Sequence, residues 1–276
     1  MHFDCTPEVW VEHLRERETR LLGGLTAIAY CQLKRNPIQT NTTSNMPETL
    51  SIAVCICQGV TLSDFIPNME ILGGLNNADH PVLGKGMGDV PYRLKFEYLS
   101  PTMDPVVSIQ GDCMPTVNPT TTYDAAMASG KQYDIIWVPA GPIPDFESGN
   151  NKLPEGLIPF IVRQAPKAKY VMSVCGGSAY LAFAGLLSGK KATTNKAFYR
   201  AIVGATPKDI QWVPKARWVV DGNVWTSSGV TAGCDMALAF TEHLAGPRAA
   251  RHLRGAVELR EATMEDDPFA EFHGLV

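Results

Sequence analysis

Tyr170-Val-Met-Ser-Val-Cys-Gly-Gly-Ser-Ala-Tyr-Leu-Ala-Phe-Ala-Gly-Leu-Leu187 is the stretch whose reading decides the fold. Residues 168–174 form an apolar run of strand character, and residues 177–187 continue at helical spacing. Gly189 stands where a helix commonly stops in a left-handed residue. Between strand and helix, Ser173-x-Cys175-x-Gly177 has the small-x-nucleophile-x-small form of a nucleophile elbow. Such a turn holds its central residue in strained backbone geometry, and bulky neighbours two residues away would clash. Cys175 is therefore expected at a helix N-terminus, where free N–H groups and the dipole favour thiolate over thiol. It is also expected beyond the carboxyl end of a parallel strand, where open sheets bind ligands. The competing reading is a buried cysteine in an ordinary βα turn.

Outward from this turn, strands and helices alternate. Residues 51–57 (SIAVCIC) are nearly continuously apolar, as a strand buried on both faces requires. Residues 62–72 follow at helical spacing, and residues 92–99 predict a second strand. A further strand or hairpin is expected over 106–111, a strand over 133–139, and a helix over 157–164. Short strands are expected around Trp212, 218–220 and 224–226, before a closing helix over 232–244. This alternation predicts an α/β fold, a mostly parallel sheet covered on both faces. Residues 1–48 read as an N-terminal extension, with a helix around 9–33 and a polar linker over 37–48. Residues 49–246 read as the α/β domain, and 247–276 as a helix and an acidic, loosely packed tail able to wrap a partner subunit.

Composition narrows the function. A net charge of −4 without a Lys/Arg cluster argues against nucleic-acid binding. No run reaches the ~20 apolar residues that span a bilayer. The apolar residues 21–33 follow an acid-containing opening rather than a short basic one, so no signal peptide is expected. The seven cysteines (5, 31, 55, 57, 113, 175 and 234) form no CxxC pair and no zinc spacing. Cys55 and Cys57 read as buried structural thiols. The set suits a reducing compartment, and the expected location is cytoplasmic.

With these residues in view, the chain resembles the ThiJ/PfpI superfamily, relatives of class I glutamine amidotransferase domains, over roughly residues 50–246. The matching blocks are Gly59-Val-Thr-Leu-Ser-Asp-Phe65, Asp134-Ile-Ile-Trp-Val-Pro-Ala-Gly141, 173–187, Gly189-Lys-Lys-Ala-Thr-Thr194 and Trp225-Thr-Ser-Ser-Gly-Val-Thr-Ala-Gly233. Within the superfamily it looks most like the isocyanide hydratase branch and its fungal relatives. The resemblance implies a flavodoxin-like three-layer sandwich, a homodimer, and Cys175 as the nucleophile. It implies that Asp64 is the carboxyl beside the sulfur, holding or donating a proton. The competing reading of Asp64 is a helix N-cap. The resemblance further implies backbone oxyanion donors at Gly141 and Gly176.

Two positions depart from the family pattern. Gly176 follows the cysteine where the hydratases have Thr and the protease-like members His. Asn195 follows the Ala-Thr-Thr block where many relatives have His. None of the six histidines lies in a motif beside Cys175, and His80 reads as a solvated loop residue. A Cys-His protease needs that imidazole. The remaining toolkit, one thiol, one carboxyl and backbone donors, suits hydration of a small electrophilic carbon. The expected reaction turns an isocyanide into an N-substituted formamide through a thioimidate. The alternatives are glyoxalase-like hydration of a reactive carbonyl and a non-catalytic redox-sensing or small-molecule-binding role. A small-molecule substrate is the expected partner, with no nucleic acid, membrane or cofactor. Trp137, Tyr180 and Trp225 read as core rather than pocket lining.

Overall fold

The computed structural model describes residues 46–144 and 152–276. The helix expected around 9–33, and residues 37–45 of the expected linker, lie outside them. The first strand, β1 (Glu48–Cys55), starts inside that linker and ends two residues before the apolar run does. It is followed by β2 (Tyr92–Ser100), β3 (Thr121–Thr122), β4 (Ile135–Val138), β5 (Tyr170–Val174), β6 (Lys191–Ala192), β7 (Gln211–Trp212), β8 (Trp218–Asp221) and β9 (Val224–Ser227). Seven of these form one sheet in the order β3-β2-β1-β4-β5-β9-β8, parallel throughout except for β8 against β9. β6 and β7 make a separate parallel pair. Residues 106–111 contribute only isolated bridges, Val60 to Ser108 and Val106 to Val117, rather than the expected strand.

The apolar runs are explained by the two faces they must fill. On β1, Leu50, Ile52 and Val54 enter one core, while Ala53 and Cys55 enter the other. On β4, Ile135 and Trp137 divide from Ile136 and Val138 in the same way. This period of two is the strand signature, and burial on both faces removes the polar alternation. The helices are α1 (Ile66–Gly73), α2 (Tyr123–Ala128), α3 (Leu157–Gln164), α4 (Gly177–Phe183), α5 (Tyr199–Ala205), α6 (Thr231–Ala256) and α7 (Phe269–Phe272). α1 and α6 pack on the first core; α2, α3 and α4 pack on the second. The result is a three-layer α/β sandwich.

Two helix ends differ from expectation. α4 stops at Phe183, and Gly185 rather than Gly189 supplies the first left-handed residue beyond it, at φ +76°. α6 runs past Leu244, interrupted at Gly246 (φ 80°, ψ 169°) before Pro247, and then continues to Ala256. The interruption is where proline's missing N–H and ring would break a helix. Ala249, Ala250 and Leu253 beyond it are buried.

The tail is not loose. Asp267 is buried; its Oδ2 accepts the Ala216 N–H at 3.2 Å and lies 3.3 Å from Lys196 Nζ. Arg200 donates to the carbonyls of His273 at 3.1 Å and Gly274 at 2.5 Å. These polar contacts hold the last residues against their own domain, where composition alone read an acidic segment free to wrap a partner.

The chain moves outward from β1 to β2 and β3, then crosses back to β4. Adjacent strands β1 and β4 thus leave the sheet in opposite topological directions. A crevice opens at the carboxyl ends of such a pair. The segments that follow β1, β4, β5 and β9 converge there.

Candidate active site

Cys175 follows β5 directly and precedes α4, with φ +59°, a left-handed conformation that a residue with a side chain adopts at a cost. Its backbone is held on both sides. The N–H donates to the carbonyls of Ser227 (3.2 Å) and Ser228 (3.0 Å) after β9. The carbonyl accepts from Thr194 Oγ1 (3.0 Å) and Ser178 Oγ (3.2 Å). Gly177 is obligatory for the turn: a Cβ there would lie 2.0 Å from the Val138 carbonyl oxygen. The small residue two positions after the cysteine therefore admits the backbone of β4.

Asp64 ends a single 3₁₀ turn, Leu62–Asp64, between β1 and α1. Its side chain caps nothing, so the N-cap reading fails; the cap position of α1 is Phe65. The backbone carbonyl of Asp64 accepts from Trp137 Nε1 (3.0 Å) and Asn68 Nδ2 (2.7 Å). These bonds point the carboxyl toward the ends of β4 and β5. Oδ2 accepts the Ala140 N–H at 3.0 Å. The Cys175 thiol and the Val230 N–H also act on the carboxyl, yet Oδ1 has no well-aligned hydrogen-bond partner among the described residues. Asp64 is fully buried. Burial raises its pKa from 3.8 to about 7, against the opposing pull of the Ala140 N–H, the thiol and the Val230 N–H.

The thiol does not behave as a helix N-terminus alone would make it. Burial first, and then the charge of Asp64, push the Cys175 thiol up to about 12. The Gly176 N–H and the Asn195 side chain pull the other way without prevailing. The expectation of a preformed thiolate is thus corrected. Desolvation beside a carboxyl outweighs the dipole of the seven-residue α4. What the site holds is a coupled thiol–carboxyl pair in which the acid is the more readily ionised member.

Cys175 lines a cavity of about 740 Å³ whose wall also includes Gly176 and Gly141. Pro142, Ile143, Phe198, Ile202 and Ala205 give it an apolar character, and Arg200 is a charged residue on its wall. Gly141 and Gly176, the expected oxyanion donors, are therefore brought together with Cys175. A Cβ on Gly176 would lie 2.7 Å from Ile143 Cδ1, so Ile143 occupies space that a larger residue after the cysteine would need. A Cβ on Gly141 would lie 2.6 Å from Cys57 Sγ and 3.0 Å from Tyr180 Oη. Tyr180 braces this turn from behind by donating to the Pro142 carbonyl at 2.5 Å. Trp137, Tyr180 and Trp225 are buried in the core, as the sequence reading held. Cys55 and Cys57 are buried as well.

No described histidine acts on Cys175. His80 caps its own loop through Val82 N and Leu83 N, His243 bonds Tyr170 Oη, and His252 bonds the Leu83 carbonyl. His2 and His13 lie outside the described residues. Sequence reasoning missed three groups that meet the pair: the N–H of Ala140, the N–H of Val230, and the side chain of Asn195. Asn195 was visible as a departure from the family pattern. Val230, a β-branched residue at φ +31°, gave no sequence signal.

A mostly parallel α/β sandwich with a cysteine on a strained strand-to-helix turn and a buried carboxyl against it defines the class of protein. The chain belongs to the DJ-1/PfpI family, whose profile matches residues 50–243. It is 38% identical over 150 residues to the isonitrile hydratase of Pseudomonas putida, a match covering 53% of this chain and 59% of that protein. The fold is shared with a ThiJ/PfpI family protein from Pseudomonas syringae (TM-score 0.59, 24% identity, 84% of each chain). It is shared also with Drosophila melanogaster DJ-1beta (TM-score 0.58, 17% identity, 77% of this chain and 99% of that one).

Proposed function

We propose that this protein is a cysteine-dependent hydratase acting on isocyanides with an apolar substituent. The observation that carries the reading is the buried Cys175–Asp64 pair, whose cysteine lines an apolar cavity, with no described histidine in contact. The similarity to an isonitrile hydratase supports the same reaction class. With burial pushing the thiol up to about 12 and the carboxyl to about 7, Asp64 gives up its proton more readily than Cys175 and is assigned the proton-carrying role.

In the first step the Cys175 sulfur bonds to the terminal carbon of R–NC. The thiol proton passes through Asp64 to that same carbon, giving the thioimidate R–N=CH–S. Water then adds to the carbon while a proton goes to nitrogen. The C–S bond breaks, releasing R–NH–CHO and restoring the thiol. The N–H groups of Gly141 and Gly176 are assigned to charge that develops during these steps, where one such donor is worth about 3 kcal/mol. The apolar wall accounts for R, and no cofactor is required. The same reading takes the protein as a cytoplasmic homodimer whose catalytic unit is residues 49–246, flanked by an extension (1–48) and a C-terminal segment (247–276).

The alternatives draw less support from the site. A peroxide-sensing thiol needs thiolate character, and here burial opposes it. A glyoxalase-like hydratase shares the cysteine, but its small polar substrates match this apolar wall poorly. The purified chain, incubated with aryl and alkyl isocyanides and followed by NMR, is expected to yield formamides, and Cys175→Ser to yield none. A wild-type protein inert to the whole series refutes the substrate assignment.

A further inference from the structure

Asn195 stands on the loop between β6 and α5, and two hydrogen bonds fix its amide. Its Oδ1 accepts the N–H groups of Ala197 (2.9 Å) and Phe198 (3.3 Å). Accepting both commits that oxygen to the loop and turns Nδ2 away from it. On the other side, Nδ2 lies 2.5 Å from where a Cβ on Gly229 would stand, so a side chain there would have to displace the amide. The preceding residue, Thr194, is tied by its hydroxyl to the Cys175 carbonyl. The Asn195 side chain is thereby placed beside the Cys175 turn, where it pulls the thiol's pKa down.

An amide nitrogen has only donors to offer, whereas a sulfur that is losing its proton needs them. We propose that Asn195 is a further catalytic residue, whose Nδ2–H donates to Cys175 Sγ and holds its negative charge while the thiol proton is away. The proposal deepens the hydratase reading and rests on Cys175 being the nucleophile. In this role the amide does the work of a neutral donor, and proton transfer is left to Asp64. Asp64 faces the sulfur from the turn after β1. Cys234, on α6, lies within electrostatic reach of Asp64. Arg200, on α5, is a charged residue on the wall of the same cavity.

The test needs no isocyanide. Iodoacetamide alkylation of Cys175 is followed by mass spectrometry of its peptide between pH 7 and 10, in the full-length protein, with exposed Cys113 as an internal control. Asn195→Asp keeps an acceptor for the Ala197 and Phe198 N–H groups but removes the donor to sulfur. Loss of a hydrogen bond to a charged group is expected to slow Cys175 alkylation about tenfold or more across this range, with Cys113 unchanged. Asn195→Ala, lacking both contacts and adding no charge, is expected to slow it as well, which separates loss of the donor from repulsion by the new carboxylate of Asn195→Asp. An Asn195→Asp rate within twofold of wild type overturns the proposal, because it would show that Asn195 serves the loop alone. Slowed alkylation in a protein inert to every isocyanide would sustain this role while refuting the substrate. Formamide production with alkylation insensitive to Asn195 would do the reverse.

Discussion

Replacing Asp64 by asparagine removes from the interior an acid that burial has pushed from 3.8 to about 7. Between those two values the folded chain keeps a proton that the unfolded chain has released. Stability supplied by this group is therefore complete below about pH 3.8 and is lost as the pH rises through about 7. A tenfold change in proton affinity corresponds to about 1.4 kcal/mol, so the whole displacement is worth roughly 4 kcal/mol. Asparagine can still accept the Ala140 N–H, but it cannot titrate. It also turns a donor toward Val230 N–H, which adds an offset that does not vary with pH. The informative quantity is therefore the difference between the two stability curves. Urea denaturation of both proteins at half-unit steps from pH 4 to 8 is expected to show this difference growing by roughly 4 kcal/mol in favour of Asp64→Asn. All other titrating groups are common to both proteins and cancel. A difference that stays flat across the range would refute the claim that this carboxyl is held desolvated, and with it the base assigned to the reaction.

Three further outcomes follow from packing and from a buried ion pair. Gly177→Ala places a Cβ 2.0 Å from a backbone oxygen that cannot step aside, and is expected to destabilise the fold by about 3 kcal/mol in urea denaturation; Gly176→Ala meets only the end of Ile143 and should cost about 1 kcal/mol. Lys196→Met strands the buried Asp267 carboxylate and is expected to cost about 3 kcal/mol or more, with limited proteolysis showing earlier cleavage after Asp267.

How much of this was legible in the sequence depends on the range of the interaction. Residues 51–57, 133–139 and 168–174 announce strands because burial on both faces leaves a local mark, an unbroken apolar run. Ser173-x-Cys175-x-Gly177 announces the sharp turn because backbone crowding within a few residues excludes side chains there. Helix 157–164 was placed to the residue by its apolar spacing. Asp64 was indicated by a block resemblance, since its partner, Ala140 N–H, lies 76 residues away. The acid–thiol pair was thus a matter of pattern, and its contact a matter of fold.

Amino-acid order by itself determined most of the strands and the sharp turn that carries Cys175, while Asp64 came from a resemblance of blocks. Tertiary structure alone decided which way the thiol titrates, because desolvation and the charge of Asp64 depend on everything packed around them and not on the helix that follows. It likewise decided that the acidic tail folds back through Asp267 and Lys196, a pairing across 71 positions (267 − 196) that no local composition encodes. Asn195 shows both sides of this division: its departure from a family pattern is written in the chain, but its place beside the Cys175 turn uses the space that Gly229 leaves.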